Sequence, residues 1–175
     1  MKRRAQWLLV AGAAMSLARF AGAQDSRPSV MLPGFRGMIR LDTVGVATEF
    51  DASAERVMSA LREAFVELGV QPDVDLAKGY VGKLDLKATR RFASTRLSSL
   101  LDCGVRDKGP NADFYRVHMA LAGMVKPGAN GKTSLRIAFA AGAQDSGPLG
   151  DPVACGSSGQ LEERVRAFVH GRLKG

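Results

Sequence analysis

The clearest pattern in the chain lies over residues 51–69. There Val57, Leu61, Ala64, Phe65 and Leu68 recur at spacings of three, four and seven, which puts them on one stripe of an α-helix. Arg56, Arg62, Glu63 and Glu67 fall mostly on the opposite side. Asp51 is placed to cap the start by accepting a hydrogen bond from an orphan amide. Glu55 in the first turn suits the helix dipole. Gly69 ends the pattern, because it can turn left-handed without a side-chain clash.

The flanking runs have a period of two. In 43–50, Val44, Val46, Thr48 and Phe50 share one side, which predicts a half-buried strand. In 70–76, Val70, Pro72, Val74 and Leu76 alternate with polar residues. Pro72 has no amide to give a ladder, so that strand is short or lies at an edge. After a turn at 77–79, Tyr80, Gly82, Leu84 and Leu86 alternate with Val81, Lys83, Asp85 and Lys87, the return strand of a hairpin. Leu97, Leu100 and Leu101 predict a short helix over 94–102, with Ser94 as its cap.

The two strongest strands come next. Tyr115, Val117, Met119, Leu121 and Val125 share one face, as do Leu135, Ile137, Phe139 and Ala141, and a Gly-rich turn at 127–132 joins them into an antiparallel hairpin. Residues 144–152 read as a loop leading to Cys155. A second long helix follows, with capping-box spacing at Ser157 and Gln160 and a stripe of Leu161, Val165, Phe168 and Val169. Five strands and two long one-sided helices predict an α+β fold: a two-layer sandwich, a five-stranded antiparallel sheet with both long helices on one face.

Charge and composition add a compartment. Lys2, Arg3 and Arg4 precede an apolar run at 7–18 that is too short to span a bilayer. Ala21-Gly22-Ala23 then has the small-x-small form of a signal-peptidase site. Residues 1–23 are therefore expected to be a signal peptide with a mature start at Gln24. Residues 24–42 are expected to be an arm that is extended in its first half and whose later apolar residues, among Met31, Leu32, Phe35, Met38, Ile39 and Leu41, lie on the domain. Residues 43–175 are expected to be a single α+β domain. An uncleaved anchor is the alternative, and Arg19 weakens it by interrupting the apolar run. No cysteine follows that run closely, so a bacterial lipid anchor is not expected. No later stretch is long and apolar enough to be a transmembrane segment.

The formal charge of the whole chain is +8. Residues 1–23 carry four basic side chains and no acidic one, so the mature chain is left at +4. That balance allows attraction to an anionic surface, but it does not call for nucleic acid. The densest basic stretch, Lys83, Lys87, Arg90, Arg91, Arg96, Arg106 and Lys108, lacks the interleaved aromatics of a base-stacking surface. It reads first as a solvated face. Cys103 and Cys155 are the only two cysteines. In an exported chain two thiols pair, closing a loop of about 53 residues that the chain-entropy picture values at about 4 kcal/mol. A reactive thiol is the other possibility, with no CxxC to support it.

The two cysteine segments, LDCG at 101–104 and CGSSGQLE at 155–162, together with the strand-helix start, resemble a family of uncharacterised exported bacterial domains. The likeness spans 43–173. It implies the disulfide and an envelope location, and it brings no activity. The order of elements is also loosely similar to helix-grip domains of outer-membrane assembly lipoproteins.

Catalytic signatures fare poorly. Gly131-Lys132-Thr133 resembles a phosphate loop, yet the required glycine is Lys126 and a strand follows, so it reads as a hairpin turn. Gly156-Ser157-Ser158-Gly159 breaks the nucleophile-elbow frame at Gln160, and its serines read as helix caps. His118 and His170 have no partner at metal spacing, so neither a metal nor a cofactor is expected. Asp73 and Asp75 would be a carboxylate pair only if another element supplied a partner.

The remaining candidate is the less apolar face of the hairpin. Arg116, His118 and Arg136 stand there among Ala120, Ala122, Ala138 and Ala140. A solvated outer sheet face is the plain reading; a flat binding surface for a protein or acidic ligand is the functional one. The expected function is an exported, non-enzymatic binding or interaction domain of the cell envelope, meeting an envelope protein or the anionic envelope surface. The alternatives are a carrier holding a small apolar ligand between sheet and helices, with room left by Gly123, Ala138, Ala140 and Gly142, and an enzyme of unrecognised type.

Overall fold

The computed structural model describes residues 27–175 except 108, 146, 148 and 149. The expected signal peptide lies outside the described residues. Helix α1 runs Ala54–Glu67 and buries Val57, Met58, Ala60, Leu61, Ala64 and Phe65, the stripe read from the sequence. Its cap is Ser53 rather than Asp51: the Ser53 side chain accepts the Arg56 amide at 3.4 Å. Gly69 ends it with φ of +74°. Helix α2, Leu97–Leu100, is one turn. Helix α3 is Gln160–Lys174.

One sheet of seven strands carries these helices. Its members are β1 (Ala47–Phe50), β2 (Asp73–Asp75), β3 (Tyr80–Ala88), β4 (Leu101–Asp102), β5 (Arg116–Pro127), β6 (Thr133–Gln144) and β7 (Val153–Ser157). The spatial order is β2-β3-β5-β6-β7-β4, and every pairing is antiparallel. β1 pairs the first residues of β6, where β7 does not reach. The expectation of five strands is corrected to seven because β4 and β7 are short and carry little alternation. Both were hidden beside the cysteines.

Those two strands set the disulfide. Asp102 lies opposite Gly156, which makes Cys103 and Cys155 the next facing pair. Their Cα atoms are 4.2 Å apart and their sulfurs are bonded at 2.06 Å. Both cysteines are buried. α1 and α3 share one apolar cluster with the inward residues of β5 and β6, so both long helices lie on one face of the sheet, as expected.

The second face departs from expectation. It is not solvated. Residues 27–46 fold back over it as a narrow hairpin, pairing Ser29 with Arg40 and Val30 with Ile39. Leu32 and Leu41 are buried there with Ala120, Ala122, Met124, Ala138 and Ala140, a second core of its own. The two-layer sandwich is therefore closed by a third, thin layer. The expected seam between arm and domain at residue 42 falls inside a 3-10 turn, Leu41–Thr43. Only Ala47–Phe50 of the first expected strand pairs. Val44 packs with the arm-side cluster and Phe50 with the helix-side cluster, because the chain turns at Gly45 with φ of +77°.

A bulge produces a similar crossing in β3. Opposite Leu121 stands Lys83, but opposite Met119 stands Leu86, so β3 spends one extra residue there. Leu84 consequently packs on the arm side and Leu86 on the helix side, although simple alternation puts them together. In the short-helix region, Ser94 is no cap. It has φ of +65°, and α2 starts at Leu97, where Asp113 accepts from the Ser98 amide and hydroxyl at 3.1 and 2.8 Å.

Candidate functional site

The arm-side face is built from small residues in register. His118 faces Gly142, Ala120 faces Ala140, and Ala122 faces Ala138. Without long side chains the arm backbone can lie directly on the sheet. A Cβ added to Gly142 would stand 2.0 Å from the Pro33 carbonyl oxygen, and one added to Gly45 would stand 1.9 Å from that of Ile137. The glycines here serve close approach, not ligand room. Gly123, on the helix side, is filled as well: Leu61 Cδ2 would lie 2.4 Å from its Cβ. The space named for a ligand between sheet and helices is thus occupied at Gly123, while Ala138, Ala140 and Gly142 face the arm.

The three candidate binding residues do not converge. Arg136 lies opposite Met124, six residues along β5 from His118, or about 20 Å away. Its Nη1 donates to the Gly45 carbonyl at 2.6 Å, so it pins the arm. Arg116 and His118 remain together at the other end. Sequence reasoning missed their companion, Lys87, which faces His118 across the β3–β5 pairing. In sequence Lys87 belongs to the basic stretch, and only the register after the bulge places it beside the histidine. Burial lowers the His118 pKa from its ordinary value, and the neighbouring charges of Lys87 and Arg116 lower it further.

The rest of the basic stretch disperses. Lys83 reaches Asp73 at 3.3 Å and Asp85 at 3.6 Å, Arg91 donates to the Ser94 carbonyl, and Arg106 faces Asp145 at 3.6 Å. Asp73 and Asp75 form no carboxylate pair, since Asp75 is held by Lys78 at 3.1 Å. The Gly131-Lys132-Thr133 segment closes the β5–β6 hairpin, with Thr133 Oγ1 donating to the Ala52 carbonyl at 2.6 Å. Ser157 donates to the buried Glu162 carboxylate at 2.7 Å and accepts from the Gly159 amide at 3.0 Å. Ser158 accepts from the Gln160 amide at 3.4 Å. The serines act at the start of α3, although the cap position itself is Gly159.

An open groove of about 1220 Å³ runs between the arm and the β2–β3 edge. Tyr80, Leu84 and Met124 line it together with Asp42, Asp73 and Lys83. Burial, reinforced by Asp73, pushes the Tyr80 hydroxyl up to about 12. The hydrogen bond from Lys83 to Asp73 raises the lysine. Arg40 and Lys78 hold Asp42 and Asp75 respectively below the usual carboxylate range by hydrogen bonding. Each of these shifts moves its group away from neutral pH, the opposite of what general acid-base chemistry requires. Among the described residues no group of three or more His, Cys, Asp or Glu side chains is arranged to hold a metal ion. No described helix is long and apolar enough to cross a membrane. No protein-family model, curated protein or solved structure matches the chain.

Proposed function

We propose that the chain is an exported, non-enzymatic binding domain of the cell envelope. The observation that carries this reading is the buried Cys103–Cys155 bond, which ties two adjacent strands at the edge of the sheet. Disulfides of this structural kind persist where thiols are oxidised, and are rare in the cytosol. The charge-first apolar start of the sequence supports the same compartment. The resemblance of the two cysteine segments to exported bacterial domains adds to it. Binding is favoured over catalysis because the groove's acids are engaged by cations, Asp42 by Arg40, Asp73 and Asp85 by Lys83, and Asp75 by Lys78. The arm-side face, where Arg116 and His118 stand, is the surface to which the binding role is assigned.

The test is fractionation of cells that express the full chain, with N-terminal sequencing and thiol labelling of the recovered protein. The expected result is a chain starting at Gln24 in the envelope fraction with no reactive thiol. Recovery in the cytosol with two labelled cysteines would overturn the reading.

A further inference from the structure

We propose that the arm-side surface docks the domain flat on an anionic lipid bilayer, through the paired methionines Met31 and Met38 and the cations Arg36, Lys87 and Arg116. The proposal rests on the envelope location argued above and names the partner.

Two independent observations lead there. The first is the outward side of the arm hairpin. Val30 pairs with Ile39, so Met31 and Met38 are the next residues on facing strands. Leu32 is buried against the sheet, and Val30 and Ile39 pack on the same cluster. The intervening methionines are 60% and 57% exposed, side by side on the surface away from the sheet. Two unbranched, polarizable side chains in that position can enter a loosely packed acyl boundary without a shaped pocket.

The second observation is charge. Lys87, His118 and Arg116 stand together on the same side of the sheet as the arm, and Lys87 and Arg116 are exposed. Among the described residues neither has an acid within ion-pair distance, whereas Lys83, Arg106 and Lys132 each face one. The nearest acid along β3 is Asp85, and it is engaged by Lys83. Arg36, at the tip of the arm hairpin, is exposed and has no acidic partner among the described residues. The acids on this side, Asp42, Asp73, Asp75 and Asp85, each face a cation, so Arg36, Lys87 and Arg116 leave uncompensated positive charge that phosphate headgroups can meet over a broad plane. Bilayer docking asks only that exposed apolar side chains and cations without acids share the arm side of the domain, as Met31, Met38, Lys87 and Arg116 do.

Vesicle co-sedimentation tests this with protein purified from the envelope fraction. The vesicles are phosphatidylcholine alone, or phosphatidylcholine mixed with phosphatidylglycerol. The native chain is expected on the anionic vesicles and not on the neutral ones. The double variant Lys87→Gln with Arg116→Gln should weaken that binding roughly tenfold to thirtyfold. Met31→Ser with Met38→Ser should weaken it at unchanged salt dependence. All four side chains are solvent-facing, so thermal unfolding of both variants should match the native protein.

Equal binding to neutral vesicles, or unchanged binding by both variants, would overturn the proposal. Displacement by inorganic phosphate at constant ionic strength would do the same, since it would indicate a small anion pocket in place of a bilayer surface. Capture of one stoichiometric protein partner through the same residues would also overturn it. If the chain is in the envelope with its disulfide formed yet ignores every vesicle, the docking fails and the exported-domain reading stands. Cytosolic protein with free thiols would end both.

Discussion

The two faces of the sheet bury apolar surface in different ways. Toward the helices, Met119, Leu121, Leu135, Ile137 and Phe139 interdigitate with Val57, Leu61, Phe65, Leu161 and Val165. Toward the arm, Ala120, Ala122, Ala138, Ala140 and Gly142 make a nearly bare surface on which backbone rests. One face is held by large side chains of both layers filling each other's gaps; on the other, arm residues such as Leu32 and Leu41 and close-lying arm backbone rest on small strand residues. The difference means that the same kind of substitution should have opposite costs on the two faces. Removing volume should hurt the helix side, and adding volume should hurt the arm side.

Leu61→Ala is the sharpest test of the first half. Leu61 is fully buried and occupies the space above Gly123, so its truncation leaves a cavity. The expected loss is about 2–5 kcal/mol in urea unfolding, with the whole domain melting in one transition. A loss below about 1 kcal/mol would mean that the helix layer is loosely packed.

Gly142→Ala tests the second half. In an ordinary strand alanine would be tolerated, but here the new Cβ meets the Pro33 backbone. The expected cost is about 1–3 kcal/mol, with protease cuts appearing in residues 28–46 before the helix-side core opens. A neutral substitution would show that the arm does not lie on β6.

The smallest effect concerns His118, half-buried opposite Gly142 on the arm face. Its folded pKa lies below the ordinary value of 6.5, first through burial and then through Lys87 and Arg116. The unfolded chain therefore takes up the proton first. Stability from this group is complete above pH 6.5 and is lost as pH falls through the lowered folded value. His118→Gln should flatten that acid-side decline in urea midpoints measured across the window. An unchanged decline would assign it to other groups.

How much of this was legible follows from where local pattern and tertiary context agree. The α1 stripe and the β5–β6 hairpin could be read because each runs long enough for its period to show, and each has one strongly apolar side. The cysteine pair could be read because two thiols have one way to join. β4 and β7 could not, since pairs such as Leu101–Asp102 are too short for a period. The crossing of Leu84 and Leu86 to opposite faces comes from a bulge, which depends on the partner strand and leaves no local mark.

The candidate site shows the same division. Arg116 and His118 share a face by simple alternation, so their association was available from the chain. Arg136 shares the face but stands six register positions away, because an antiparallel hairpin sets residues near one end far from those near the other. Lys87 joins His118 only through the β3–β5 register.

Local sequence determined the two long helices and the β5–β6 hairpin, where α1 stops, and that two cysteines were available to join. The tertiary structure decided what covers each face. An alanine-rich face reads the same whether water or another stretch of backbone lies on it. Only the distance between the Pro33 carbonyl and Gly142 distinguishes the two, and that distance belongs to segments more than a hundred residues apart in the chain.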